Sequence, residues 1–273
     1  MSRPLFLQKE KESEDKIMKV ISIANQKGGV AKTTTTMNLA AGLVRKGKSV
    51  LCIDFDPQSN LSDYLGYKAQ DNLPTISELM MATATMQRTD VGQSIRHNIE
   101  GVDYIPSSIL LSSADVFLSQ VMCREQVLKR ILSAPEVQSY DYVLIDCLPS
   151  LGILLTNALT ASDAVLIPVQ AQKFSLDGLA QLAQVIEMVK TQINPQLAIC
   201  GVLLTMADNT NMSRAVEEAL HGMFENTVFA TKIRRSVEAA NSTYEHRSLV
   251  SRPKSKLGSE YMAVVEELLE RGV

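Results

Sequence analysis

The chain has 273 residues, of which 45% are hydrophobic and 21% charged, with a net charge of −3. That length and composition supply a full apolar core for one or two domains and exclude disorder over the whole chain. The charge balance excludes a uniformly basic nucleic-acid coat but allows a local basic patch.

Residues 1–18, with the run KEKESEDK, read as a polar extension ahead of one domain spanning 19–273. A β-branched run at 19–24 predicts a buried strand, a Gly-rich turn follows, and helical spacing covers 32–46. Strands are predicted at 49–55 and, more weakly, at 102–106, with helical spacing from 114 to 132. Three more apolar strands follow at 142–146, 164–169 and 199–205. Helices fit around 152–160, 175–192, 212–224 and 256–270. Nearly continuous apolar strands alternating with helices predict an α/β fold, a doubly wound, mostly parallel sheet with helices on both faces. Ligands of such sheets sit at the carboxyl ends of the strands.

The cysteines, Cys52, Cys123, Cys147 and Cys200, are far apart and form no C-x-x-C pair, so they read as reduced thiols rather than metal ligands. No apolar run approaches the ~18 residues of a membrane span, and the charged N-terminus lacks the apolar stretch of a signal peptide. The expected location is cytoplasmic.

After the first strand the chain reads Asn25-Gln26-Lys27-Gly28-Gly29-Val30-Ala31-Lys32-Thr33-Thr34. A turn between strand and helix presents backbone N–H groups and a helix N-terminus to an anion. Lys32 is placed to reach the β- and γ-phosphates, and the Thr33 hydroxyl suits Mg²⁺. The strict G-x-x-x-x-G-K-[ST] pattern fails at both glycines, where Gln26 and Ala31 stand. The second strand ends Asp54-Phe55-Asp56-Pro57-Gln58, with both carboxylates on one strand face. Two acids beside a phosphate loop repel each other unless a cation or a proton transfer involves them. A later strand runs Tyr142-Val143-Leu144-Ile145-Asp146, the Walker B arrangement of an apolar strand closed by an acid.

Lys27-Gly28-Gly29-x-x-Lys32-Thr33 resembles the deviant Walker A sequence of the ParA/MinD group of P-loop ATPases. The resemblance extends over about 19–271 and includes Thr156-Asn157-Ala158-Leu159, Ile167-Pro168-Val169-Gln170 and Gly201-Val202-Leu203-Leu204-Thr205-Met206. Within the group the chain is similar to the ParA/Soj partition ATPases. The resemblance implies a P-loop NTPase fold, with ATP and Mg²⁺ held by residues 27–34 and the metal supported by Thr33, Asp54 and Asp146. It implies that Lys27 crosses to the phosphates of the partner in an ATP-sandwich homodimer. It further implies that Asp56 positions or activates the attacking water, with Lys27 and Lys32 as the other catalytic residues. The implied partners are non-specific nucleoid DNA and a ParB-like activator. Cys147-Leu148-Pro149-Ser150 stands where the family has C-P-P-S.

MinD-like relatives end in a basic amphipathic membrane helix. Here the last predicted helix buries Tyr261, Val264, Val265, Leu268 and Leu269 and carries Glu260, Glu266, Glu267 and Glu270 opposite, which an anionic membrane repels. Large ParA proteins carry about a hundred residues of DNA-binding domain before the first strand, against 18 here.

The segment 232–256 holds seven basic residues against Glu238 and Glu245, a balance of +5 that leaves −8 for the rest. A basic segment on an acidic body suits sequence-independent phosphate binding. The family's DNA-contacting arginine falls where this chain has Ser236-Val237-Glu238, a reversal of sign, so Arg235, Arg247 and Lys254 are the expected contacts. Arg234 replaces a family proline near the adenine. The alternatives are a same-fold ATPase that positions a protein cargo, and a nucleotide-gated dimer switch with little hydrolysis.

Overall fold

The structure is a computed structural model that describes residues 18–69, 71–172 and 177–273. The extension 1–18, apart from Met18, and residues 175–176 of an expected helix lie outside the described residues. Seven strands form one sheet in the order β3-β4-β2-β5-β1-β6-β7. They are β1 (Lys19–Ile23), β2 (Val50–Phe55), β3 (Arg96–His97), β4 (Asp103–Ile105), β5 (Tyr142–Cys147), β6 (Ala164–Gln170) and β7 (Ala198–Thr205). Only the β3–β4 pair, at one edge, is antiparallel.

Successive residues of a strand point to opposite faces, and both faces are buried here. Leu51, Ile53, Val143 and Ile145 enter one apolar cluster, while Val50, Cys52, Tyr142 and Leu144 enter the other. This is why β2 and β5 are apolar at nearly every position. On one face lie α1 (Lys32–Arg45) and α11 (Lys256–Glu270), which meet through Met37, Leu39, Tyr261, Val264 and Val265. On the other lie α3 (Ile76–Ala84), α5 (Val127–Leu132), α7 (Ile153–Ala161), α8 (Asp177–Gln192) and α9 (Asn211–Phe224).

The helical spacing from 114 to 132 does not form one helix. It splits into α4 (Ala114–Phe117), a 3-10 turn at Arg124–Gln126, and α5. The break falls at Cys123, whose φ of 52° is left-handed and ends any helix passing through it. Three further short helices were not expected: α2 (Asn60–Tyr64), α6 (Pro135–Gln138) and α10 (Glu238–Tyr244). Neither was α3, although its sequence carries a capping box: the Thr75 hydroxyl accepts from Ser77 N, and Glu78 Oε2 accepts from Thr75 N at 2.9 Å. In α11 three of the four acids expected on a solvent face, Glu260, Glu266 and Glu267, are engaged by other side chains and backbone groups. Glu267 accepts from Ala230 N, Thr231 N and Arg271, Glu260 from Arg234, and Glu266 from Lys46.

Candidate nucleotide site

The loop between β1 and α1 is pinned by the neighbouring strands β6 and β7. Asn25 Nδ2 donates to Pro168 O at 2.7 Å, and its Oδ1 accepts from Lys27 N at 2.9 Å. Thr205 Oγ1 donates to Val30 O at 3.1 Å, with Val30 itself fully buried. The ends of β6 and β7 thus hold the loop over the carboxyl end of the sheet. Gly29 has φ +73°, and Ala31 takes a left-handed φ of 68° where the strict motif has glycine. A side chain at Ala31 therefore costs about 1 kcal/mol relative to glycine, which the loop's anchors tolerate. Gly28 has φ outside the left-handed range, and an added Cβ would meet nothing within 4 Å.

The two lysines of the loop part company. Lys32 is buried at 8% exposure, and its Nζ curls back to Lys27 O at 3.2 Å. Burial lowers its pKa, partly offset by the nearby Asp146, Cys147 and Asp56. Lys27 Nζ instead donates to Gln172 Oε1 at 3.3 Å.

The acids also differ. Asp54 and Asp146 are register partners on adjacent strands, and both are buried. The Asp146 carboxylate accepts from Thr33 Oγ1 at 2.7 Å and from Thr36 Oγ1 at 3.4 Å. Burial raises its pKa, and the Asp54 charge raises it further against the pull of Thr33 and Lys32. Asp54 is turned toward the chain rather than the cavity. Its Oδ2 accepts from Ser62 N at 2.7 Å and Ser62 Oγ at 2.6 Å, and its Oδ1 from Asp56 N at 3.2 Å. Burial pushes it up to about 6 in spite of those bonds. These bonds brace α2 through Ser62, and Asp54 is not among the residues that line the cavity. Asp56 is half-buried, accepts from Gln58 N at 2.9 Å, and lines the cavity.

That cavity has a volume of about 560 Å³. Gly28, Gly29, Lys32, Thr33 and Asp56 form one end, and Pro149, Met206, Ile233, Arg234 and Arg235 belong to its wall. Arg235, expected among the DNA contacts, is therefore a cavity residue as well as an exposed one. Arg247 and Lys254 are exposed and stand outside this cavity. Ion pairs reduce the free charge of the segment 232–256. Lys232 pairs with Glu217 at 2.6 Å, Arg252 with Glu245 at 3.0 Å, and Arg234 with Glu260. Glu238 accepts from Ser255 Oγ, so it ties α10 to the residue that caps α11. The acid partners Glu217 and Glu260 lie outside the segment, where a charge count over adjacent residues does not find them.

A model of the AAA domain family matches residues 18–199. The sporulation initiation inhibitor protein Soj of Bacillus subtilis is 40% identical over 257 residues, covering 93% of this chain and 99% of that protein. This chain belongs to the ParA/Soj family of P-loop ATPases. The chromosome partitioning protein ParA of Caulobacter vibrioides is 37% identical over 93% of this chain and 95% of its own length. Among solved structures, cobyrinic acid a,c-diamide synthase from Mycobacterium smegmatis with bound ATP analog and magnesium superposes with a TM-score of 0.81. It is 31% identical, over 94% of this chain and 96% of that one.

Among the described residues no helix is long and apolar enough to cross a membrane, and no group of three or more His, Cys, Asp or Glu side chains could hold a metal ion.

Proposed function

We propose that the chain is a DNA partition ATPase that binds Mg·ATP, pairs face to face with a second copy, binds DNA without regard to sequence, and hydrolyses ATP when a ParB-like partner stimulates it. The observation that carries this reading is the divergence of the two loop lysines. Lys32 Nζ lies inside the phosphate loop, whereas Lys27 Nζ leaves it for Gln172 at 3.3 Å. In this reading Lys32 serves the phosphates of its own protomer, and Lys27, whose Nζ does not join it, serves those of a facing copy. Two cations on one triphosphate offset its charge at every stage of transfer.

The donor set fits a hard divalent ion. Thr33 Oγ1 and Asp146 Oδ2 are 2.7 Å apart and are oxygen donors of the kind Mg²⁺ takes. Bound there with the nucleotide, Mg²⁺ supplies positive charge to the phosphate oxygens. Asp146, held up by burial and by Asp54, gains most from a neighbouring cation. Asp56, partly exposed on the cavity wall, is the carboxylate that can orient an attacking water. Val30, Ala31 and Thr34 complete the loop, contributing backbone N–H groups toward the phosphates.

DNA is bound by Arg247 and Lys254, with Arg235 at the boundary of the two functions. Each protomer offers few phosphate contacts, so pairing makes affinity depend on ATP. The test is a titration of random duplex DNA at two salt concentrations, with and without ATP, alongside turnover. The expected result is weak binding that ATP strengthens and salt weakens steeply. ATP-loaded dimer that binds no DNA at low salt overturns the DNA reading and leaves a protein cargo; dimer without turnover leaves the switch.

A further inference from the structure

Elements that line the nucleotide cavity and the backbone of the basic segment meet at one buried polar cluster. Asn38 of α1 is fully buried. Its Nδ2 donates to Thr34 O at 2.7 Å, one turn back, and its Oδ1 accepts from Leu249 N at 2.7 Å and Val250 N at 3.3 Å. Tyr64 of α2 is also fully buried. Its hydroxyl lies 2.6 Å from Ser242 Oγ of α10 and donates to Arg247 O at 3.5 Å, with Asn38 as a further hydrogen-bond partner.

Every element at this cluster also touches the cavity. Thr34 of α1, Asp63 of α2 and Thr243 of α10 line it. Two residues before Tyr64, Ser62 holds Asp54. On the outer side the cluster fixes the backbone at 247, 249 and 250, from which the Arg247 side chain projects into solvent. Gly258 seals the arrangement, because a Cβ there would stand 2.2 Å from Leu249 O. A buried polar cluster is stable only when its members are paired, and once paired it transmits position rigidly.

We propose that Asn38 and Tyr64 are positioning residues that make polyanion binding through Arg247 and Lys254 depend on what fills the nucleotide cavity. The inference rests on the DNA-binding reading above. Phosphate bound at the first turn of α1 and beside α2 sets the position of Thr34 and Asp63, and the same bonds set the backbone that carries Arg247. By linkage, DNA then raises nucleotide affinity by the factor by which nucleotide raises DNA affinity.

Tyr64→Phe removes one hydroxyl and keeps the ring packed, and Ser242→Ala removes its partner. Each variant, and the double, is titrated with random duplex DNA with and without ATP, and ATP affinity without DNA and melting temperature are recorded beside it. ATP affinity without DNA should stay within about twofold of wild type, because neither side chain lines the cavity. The ATP-induced gain in DNA affinity should fall about tenfold in each single variant, the worth of one buried hydrogen bond. The double should fall no further than Tyr64→Phe alone, because that change already removes the bond to Ser242 together with the one to Arg247 O. A merely structural role would lower the melting temperature and leave the gain unchanged. That outcome, or additive losses in the double, overturns the inference while the DNA reading stands. Wild type that fails to bind DNA with ATP overturns both.

Discussion

The phosphate loop and the segment 232–256 both bring cations to the carboxyl end of the sheet, but they hold them differently. In the loop, position is set by the backbone: Asn25, Val30 and Thr205 fix the turn, and Lys32 has one place to go. In the segment, position is set by acidic side chains: Glu217 takes Lys232, Glu260 takes Arg234, and Glu245 takes Arg252. A backbone-built site keeps its geometry when the surface changes. A site built from exposed ion pairs is worth little per pair, is screened by salt, and is free to drift. The first region therefore suits chemistry that needs fixed distances, and the second suits contact with a uniform polyanion.

The sharpest break of this contrast is in the loop itself. Lys32→Ala should weaken ATP binding at least about a hundredfold, because a buried charge-assisted contact to phosphate has no substitute. Asp56→Ala should leave ATP affinity near wild type and cut turnover by about a hundredfold or more. Calorimetry and a phosphate-release assay separate the two effects. Equal turnover in Asp56→Ala and wild type would remove Asp56 from the reaction.

Dimer formation comes next. Lys27→Ala should bind ATP as a monomer, read by light scattering. Gly28→Val should do the same, although the chain alone leaves room for a Cβ at Gly28. Any block at that position therefore comes from a facing backbone or a ligand. A stable ATP dimer of Lys27→Ala would exclude the crossing role.

A smaller effect concerns pH. Asp54 binds its proton more tightly in the folded chain, with its value raised from 3.8 to about 6, and Asp146 is raised as well. The folded state thus holds more protons than the unfolded state between those values. The stabilisation is complete below about 4 and is lost as pH rises through about 6, on the order of 3 kcal/mol for Asp54. Nucleotide-free protein in EDTA should gain melting temperature when taken from pH 7.5 to 5.5, and Mg·ATP should shrink that gain by favouring the charged carboxylates. A melting temperature that falls over this range would show that the two carboxylates are not held up by burial.

The smallest effect probes the segment. Glu238→Arg adds two positive charges to it and should tighten DNA binding a few-fold at low salt. It also removes the acceptor for Ser255 Oγ, at about 1 kcal/mol, so the melting temperature should drop by roughly 2–4 °C. An unchanged melting temperature would mean that the link between α10 and α11 carries no stability.

Features whose cause is local were legible along the chain. Strands apolar at nearly every position required cover on both faces, and Asp54, Asp56 and Asp146 fall at or near the strand ends, where the apolar runs stop. The Gly28-Gly29 turn followed by Lys32-Thr33 specified an anion site between strand and helix. What depends on residues far apart in the chain became visible in the folded molecule. Asp54 was turned away from the cavity by Ser62, Arg235 was drawn to the cavity wall, and three basic residues of 232–256 were taken up by acids. The fold also divided 114–132 at Cys123 and formed α2 and α10, five and seven residues long. Helices that short have no stable periodicity of their own and exist because the fold packs them. Backbone turns and burial patterns are written in neighbouring residues, whereas ion pairs and buried hydrogen bonds such as Asn38 to Leu249 are written across 211 positions of chain.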